Sequence, residues 1–160
     1  MLVISDSTFK GERKDNSGII IRDKLKEFLV EVEEYIILPD DIEAISKEMV
    51  RLCDDTQLDI IISTGGTGLG PRDLTTEATA KILDRTVPGM AEALRSHGNI
   101  RTPYAMLSRS LAGVRGKTII VNLPGSSRGA SESMDALFPG ILHGLKMVWG
   151  GGHDHKEKKK

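Results

Sequence analysis

Along the chain, short apolar runs that end in polar or glycine-rich turns alternate with stretches whose apolar residues recur every three or four positions. Leu2 to Ser5 is such a run, closing on Ser5-Asp6-Ser7, and reads as a buried strand. Beyond the polar stretch Lys10 to Asn16, Ser17 is placed to cap a helix whose inner face is Ile21, Leu25, Phe28 and Val32. Tyr35 to Leu38 is a second strand stopped by Pro39, and Asp41 can cap a helix that turns Ile42, Ile45, Met49 and Leu52 inward. A third strand, Leu58 to Ser63, runs into Thr64-Gly65-Gly66-Thr67-Gly68-Leu69-Gly70-Pro71-Arg72-Asp73, where four glycines and a proline predict a loop. Helices over about Thr75 to Leu83 and Met90 to Ser96 follow, with Pro88-Gly89 between them, and Pro103 opens a further helical turn. Lys117 to Asn122 is the last predicted strand. From Met134, the residues Leu137, Ile141, Leu145 and Val148 repeat at helical spacing and predict a closing helix kinked or split at Pro139.

Strands alternating with helices predict an α/β fold, a three-layer α/β/α sandwich with a mostly parallel sheet. Ligands of such sheets bind beyond the carboxyl ends of the strands, where loops converge and helix N-termini point into the crevice. Ser5-Asp6-Ser7, Pro39-Asp40-Asp41, the glycine loop with Asp73, and Asn122 to Ser127 each follow a predicted strand, so four polar loops should share one edge.

The length of 160 residues, with no repeat or linker, fits one domain over residues 1–149 and a mobile polar tail over 150–160. A net charge of −1 and few aromatics supply no basic, stacking surface, which argues against nucleic acid as a partner. Charge is nevertheless uneven: residues 1 to 70 hold 8 basic and 15 acidic side chains, whereas residues 71 to 128 hold 9 basic and 4 acidic. The basic middle is either a solvated face or a match for a phosphate-bearing ligand. Cys53 stands alone in an apolar pattern, so it packs and no intrachain disulfide forms. No apolar run approaches a membrane span and no signal peptide is visible, so no membrane partner and a cytoplasmic location are expected.

Glycines in the loop can bring several backbone amides to an anion, or simply make tight turns. The loop matches neither the Gly-Lys-Ser/Thr phosphate loop nor the dinucleotide fingerprint. Asp40 and Asp73 end two different strands, and two carboxylates over a phosphate site suit a hydrated Mg²⁺; each could instead cap a helix, with Asp41 competing for that role. Asp6 has the same two readings. Asn122 to Ser127 is a second possible anion cradle, or an ordinary strand-to-helix turn. The four histidines have no ligand-like spacing, and His153 and His155 fall in the tail.

Ser5-Asp6-Ser7, Pro39-Asp40-Asp41, the run from Ser63 through Gly68 and Gly70-Pro71-Arg72-Asp73-Leu74-Thr75, Pro88-Gly89, Leu107-Ser108-Arg109 and Asn122-Leu123-Pro124-Gly125-Ser126 occur in this order. Together, over roughly residues 2 to 148, they resemble the Mog/MoaB family of molybdenum-cofactor biosynthesis proteins. The resemblance implies a homotrimeric molybdopterin adenylyltransferase that joins the AMP part of Mg-ATP to the molybdopterin phosphate and releases pyrophosphate. It further implies that Asp40 and Asp73 are the catalytic pair and hold Mg²⁺, and that Gly65, Gly66, Thr67 and Gly68 hold phosphates. By the same resemblance Ser126 and Ser127 contact the pterin or its phosphate, and Ser5, Asp6, Thr64, Pro124 and Gly125 line the pocket, with Arg72 opposing phosphate charge. ATP and molybdopterin are thus the expected ligands, and other proteins of molybdenum-cofactor biosynthesis the possible partners. Family members usually carry several more residues ahead of Ser5 than the four found here, so a downstream start or a missing end is expected. Two rival readings are a molybdopterin-binding or scaffold protein without efficient catalysis, and the competence-damage-inducible group, whose chains usually carry further domains.

Overall fold

A computed structural model describes residues 1–151; the expected mobility of the rest of the tail, and His153 and His155, lie outside the described residues. Six strands form one sheet: β1 (Leu2–Ile4), β2 (Ile36–Leu38), β3 (Ile60–Thr64), β4 (Arg85–Thr86), β5 (Ala112–Arg115) and β6 (Thr118–Leu123), in the order β2-β1-β3-β6-β5-β4. The first four in that order are parallel; β5 adds antiparallel to β6, and β4 antiparallel to β5. The helices are α1 (Asp6–Phe9), α2 (Ser17–Glu27), α3 (Ile42–Asp54), α4 (Thr75–Ala80), α5 (Pro88–Asn99), α6 (Ser127–Leu137) and α7 (Gly140–Val148), with a 3-10 turn over Pro103–Leu107.

Alternation along the strands divides the core in two, because successive side chains leave opposite faces of the sheet. Leu2, Ile4, Ile61 and Ile120 pack with Ile45, Met49 and Leu52 of α3 and Ala78 of α4. Val3, Ile62, Val121 and Leu123 pack on the other face with Ile21 and Leu25 of α2, Leu94 of α5, Ala130 and Met134 of α6, and Ile141 of α7. The three-layer sandwich follows. Cys53 is buried in the first of these layers, as its apolar surroundings predict, and burial pushes its thiol up to about 11. Among the described residues no helix is long and apolar enough to cross a membrane.

Several local expectations are corrected. Helix α2 stops at Glu27, short of Val32: Leu29 adopts φ 57°, and the Val30 amide turns back to the Leu25 carbonyl at 3.0 Å, a helix stop in which leucine sits where glycine is usual. Phe28 and Val32 are apolar because they pack on the core from the following loop, Phe28 stacking on Phe138 with ring centroids 4.7 Å apart. Ser17 lies inside α2, and Asp15 does the capping by accepting from the Gly18 amide at 2.8 Å. Helix α4 is shorter than predicted, α5 starts at Pro88 itself, and the closing pair begins at Ser127, well before Met134. The split at Pro139 falls as expected, between α6 and α7. Strands β4 and β5 escape the periodicity argument, being two and four residues long.

Candidate active site

The register of the parallel strands fixes where the loops emerge. Ile4 pairs with Leu38, Val3 with Thr64, and Thr64 with Leu123, so the carboxyl ends of β2, β1, β3 and β6 lie side by side. The four polar loops therefore do share one edge. They cross over at β1, where the chain goes to β2 on one side and to β3 on the other, the position at which doubly wound sheets open a crevice.

Asp41 is the cap of α3, accepting from the Ala44 amide at 2.8 Å, which frees Asp40 from that duty. Asp40 instead meets Asp6 in a reciprocal pair: the Asp6 amide donates to Asp40 Oδ2 at 2.9 Å and the Asp40 amide to Asp6 Oδ1 at 3.1 Å. Asp6 also accepts from the Arg72 guanidinium. The Asp40 amide and then Arg72 hold the Asp6 carboxyl below the usual carboxylate range. For Asp40 the balance is opposite, because burial first, and the like charges of Asp6 and Asp73 with it, push its carboxyl up. Asp73 is no helix cap either; its Oδ2 accepts from the Gly70 amide at 2.8 Å and closes the glycine loop on itself.

Backbone geometry makes the loop's glycines specific. Gly65 has φ +103°, and a Cβ there would stand 2.2 Å from the Ile4 carbonyl oxygen. Its amide donates to the Leu123 carbonyl at 3.1 Å, and the Thr64 hydroxyl to the Pro124 carbonyl at 2.8 Å, which straps the glycine loop to the loop after β6. Ser126 caps α6, accepting from the Gly129 amide at 3.2 Å, and Ser5 caps α1, accepting from Thr8 at 3.3 Å.

The expected residues divide between two adjoining cavities. One, of about 410 Å³, brings together Ser5, Asp40, Thr64, Gly65, Gly66, Arg72 and Asp73 with Gly125, Ser126 and Ser127. The other, of about 350 Å³, takes in Thr67, Gly68 and Pro124 together with Arg95, Arg101 and Tyr104. Gly125 and Ser126 line both. Asp6 lines neither, and is instead hydrogen-bonded to Asp40 and Arg72, which line the first. Arg13 and Lys14, exposed on the loop before α2, line the first cavity without a charged partner among the described residues, whereas Arg72 is already committed to Asp6. The sequence marks these two cations only as part of a polar stretch. It likewise gives no role to Arg109, whose side chain reaches back onto the glycine loop.

Asp40 and Asp73 thus face one cavity as neighbouring like charges, and among the described residues no three His, Cys, Asp or Glu side chains group together as a metal site. Two carboxylates suit Mg²⁺, which keeps several waters and takes further oxygens from substrate phosphates.

Comparison with known proteins bears on what this edge is for. The family described as "Probable molybdopterin binding domain" matches residues 1–143. A protein of Helicobacter pylori strain J99 named molybdopterin adenylyltransferase is 38% identical, over 99% of this chain and 91% of its own length. The crystal structure of the molybdopterin biosynthesis enzyme MoaB from Thermus thermophilus superposes with a TM-score of 0.88 at 48% identity, covering 93% of this chain and 94% of that one. The molybdopterin biosynthesis Mog protein from Mycobacterium ulcerans superposes with a TM-score of 0.85 at 35% identity, covering 92% and 95%.

Proposed function

This chain belongs to the Mog/MoaB family of molybdopterin-binding domains, and from that premise we propose that it is a molybdopterin adenylyltransferase. It joins the AMP part of ATP to the molybdopterin phosphate: a phosphate oxygen bonds to the α-phosphorus of ATP, the α–β anhydride breaks, and pyrophosphate leaves. The observation that carries this reading is the convergence of Asp40 and Asp73, from the ends of β2 and of the glycine loop, on one cavity with Gly65, Gly66 and the start of α6.

The reaction brings two anions together, so the protein's work is positioning and charge compensation rather than covalent catalysis. Amides of the glycine loop and of the α6 N-terminus take phosphate oxygens, and the cavities that meet at Gly125 and Ser126 give the two reactants separate approaches to one point. Asp40 and Asp73 hold Mg²⁺, which neutralises phosphate charge when bound. Arg13 and Lys14 supply the cations that Arg72, paired with Asp6, does not. Ser127 and the O–H of Ser126 contact the pterin or its phosphate. A homotrimer, association with other proteins of molybdenum-cofactor biosynthesis, and a cytoplasmic location complete the proposal.

The test is pyrophosphate release from Mg-ATP with and without molybdopterin. Release that depends on the pterin is expected. Binding of the pterin with no release would make the protein a binding or scaffold module, and release without the pterin would make it a pyrophosphatase.

A further inference from the structure

One side chain from a distant segment, Arg109, grips the glycine loop at two carbonyls. Arg109 Nε donates to the Gly68 carbonyl at 2.6 Å, and Nη2 donates to the Asp73 carbonyl at 2.5 Å. The same guanidinium forks onto the Glu77 carboxylate, Nη1 to Oε1 and Nη2 to Oε2, the latter at 3.3 Å. The main chain adds to this: the Arg109 amide donates to the Thr67 carbonyl at 2.9 Å, and its carbonyl accepts from the Thr76 hydroxyl at 2.9 Å. Gly68, midway along the loop, and Asp73, at its far end, thus share one planar donor, which the first turn of α4 holds in place through Glu77.

Asp73 is consequently fixed twice. Arg109 holds its carbonyl and the Gly70 amide holds Oδ2, while Oδ1 accepts no hydrogen bond among the described residues. A side chain reaching Asp73 only through its backbone does not touch the reactants, yet it sets where the carboxylate stands. Resting on the reading of Asp73 as a Mg²⁺ ligand, we propose that Arg109, locked by Glu77, is a positioning residue that aligns Asp73 and the glycine loop for metal and phosphate binding. Lysine cannot replace it, because one ammonium group cannot reach two carbonyls and a carboxylate in the fixed fork that a guanidinium supplies.

The experiment compares the full-length wild type with Arg109→Lys and Glu77→Gln. Pyrophosphate release is titrated with Mg²⁺ at saturating ATP and molybdopterin. Mn²⁺ binding is followed by electron paramagnetic resonance with α,β-methylene-ATP present, and amide hydrogen exchange is read over residues 66–74, with melting temperature as the control on the fold. Arg109→Lys should raise the metal concentration for half-maximal rate roughly 10- to 100-fold, the range for losing an outer-shell partner, and weaken Mn²⁺ binding in step. Exchange should quicken over residues 66–74 while the core strands keep their protection. Glu77→Gln should move all three readouts the same way by less, and it decides the matter if Arg109→Lys does not fold. Unchanged metal titrations with a wild-type exchange pattern would overturn the inference, as would faster exchange spread evenly over the chain. If the wild type released no pyrophosphate, the adenylyltransferase reading would fall, and the Mn²⁺ and exchange measurements would still decide the role of Arg109.

Discussion

Asp40 serves two ends, and one pair of substitutions separates them. Its carboxylate accepts the Asp6 amide at 2.9 Å, a structural bond, and its charge faces the cavity, where burial and the neighbouring carboxylates oppose ionisation. Asp40→Ala leaves that amide without its acceptor, a loss of about 1–3 kcal/mol for a part-buried donor. In a domain of this size, where each kcal/mol moves the melting temperature by about 2–4 °C, the fall should be roughly 2–12 °C. Asp40→Asn keeps an oxygen at the same place and removes only the charge that the site disfavours. Its melting temperature should therefore equal or exceed that of the wild type. Both variants should lose pterin-dependent pyrophosphate release by at least roughly 100-fold, the upper end of what losing a mere outer-shell partner costs. Calorimetry or thermal circular dichroism and a coupled pyrophosphate assay on the same preparations read both quantities. The reasoning fails if Asp40→Asn melts as low as Asp40→Ala, or if it keeps a rate within about tenfold of wild type.

Gly65→Ala should destabilise the fold by roughly 2–4 kcal/mol in urea unfolding, combining the strain of a positive φ with loss of the bond to Leu123 as the new Cβ is pushed off the Ile4 carbonyl; an unchanged midpoint would refute it. Arg13→Gln and Lys14→Gln should each raise the KM of a phosphate-bearing substrate roughly 2- to 5-fold with kcat nearly constant, as for an exposed charge pair, and flatten the salt dependence of kcat/KM. Equal kcat losses in the two would place these cations elsewhere in the reaction. Cys53, with its thiol pushed up to about 11, should have on the order of one thiolate in a thousand at pH 8, so maleimide labelling should be slow in the native protein and fast in guanidinium. Rapid native labelling would contradict its buried place on the inner face of α3.

The sequence carries the layered fold because its strongest signals are those of long-range architecture. The apolar runs at Leu2, Ile36, Ile60 and Thr118 become the four parallel strands, and the loops after them carry nearly every residue expected at the site. What it hides is set by geometry that leaves no periodic trace. Leu29 ends α2 in a conformation that glycine would have announced, and β5 is too short and too rich in small residues to show alternation, although Gly116, at φ +53°, marks its turn into β6. The choice between Asp40 and Asp41 as cap is likewise invisible until the Ala44 amide is seen to point at Asp41. Arg109 lies 36 residues beyond Asp73, and only the fold brings its guanidinium to the loop.

Both outer strands of the sheet are brief: β2 has three residues and β4 two, the latter being the exposed Arg85 and Thr86. A sheet edge recruits another chain through a row of unpaired amides and carbonyls, and a row this short offers little to continue, with a charged side chain on one of its two ends. The sheet is therefore poorly suited to growth by strand addition at either edge.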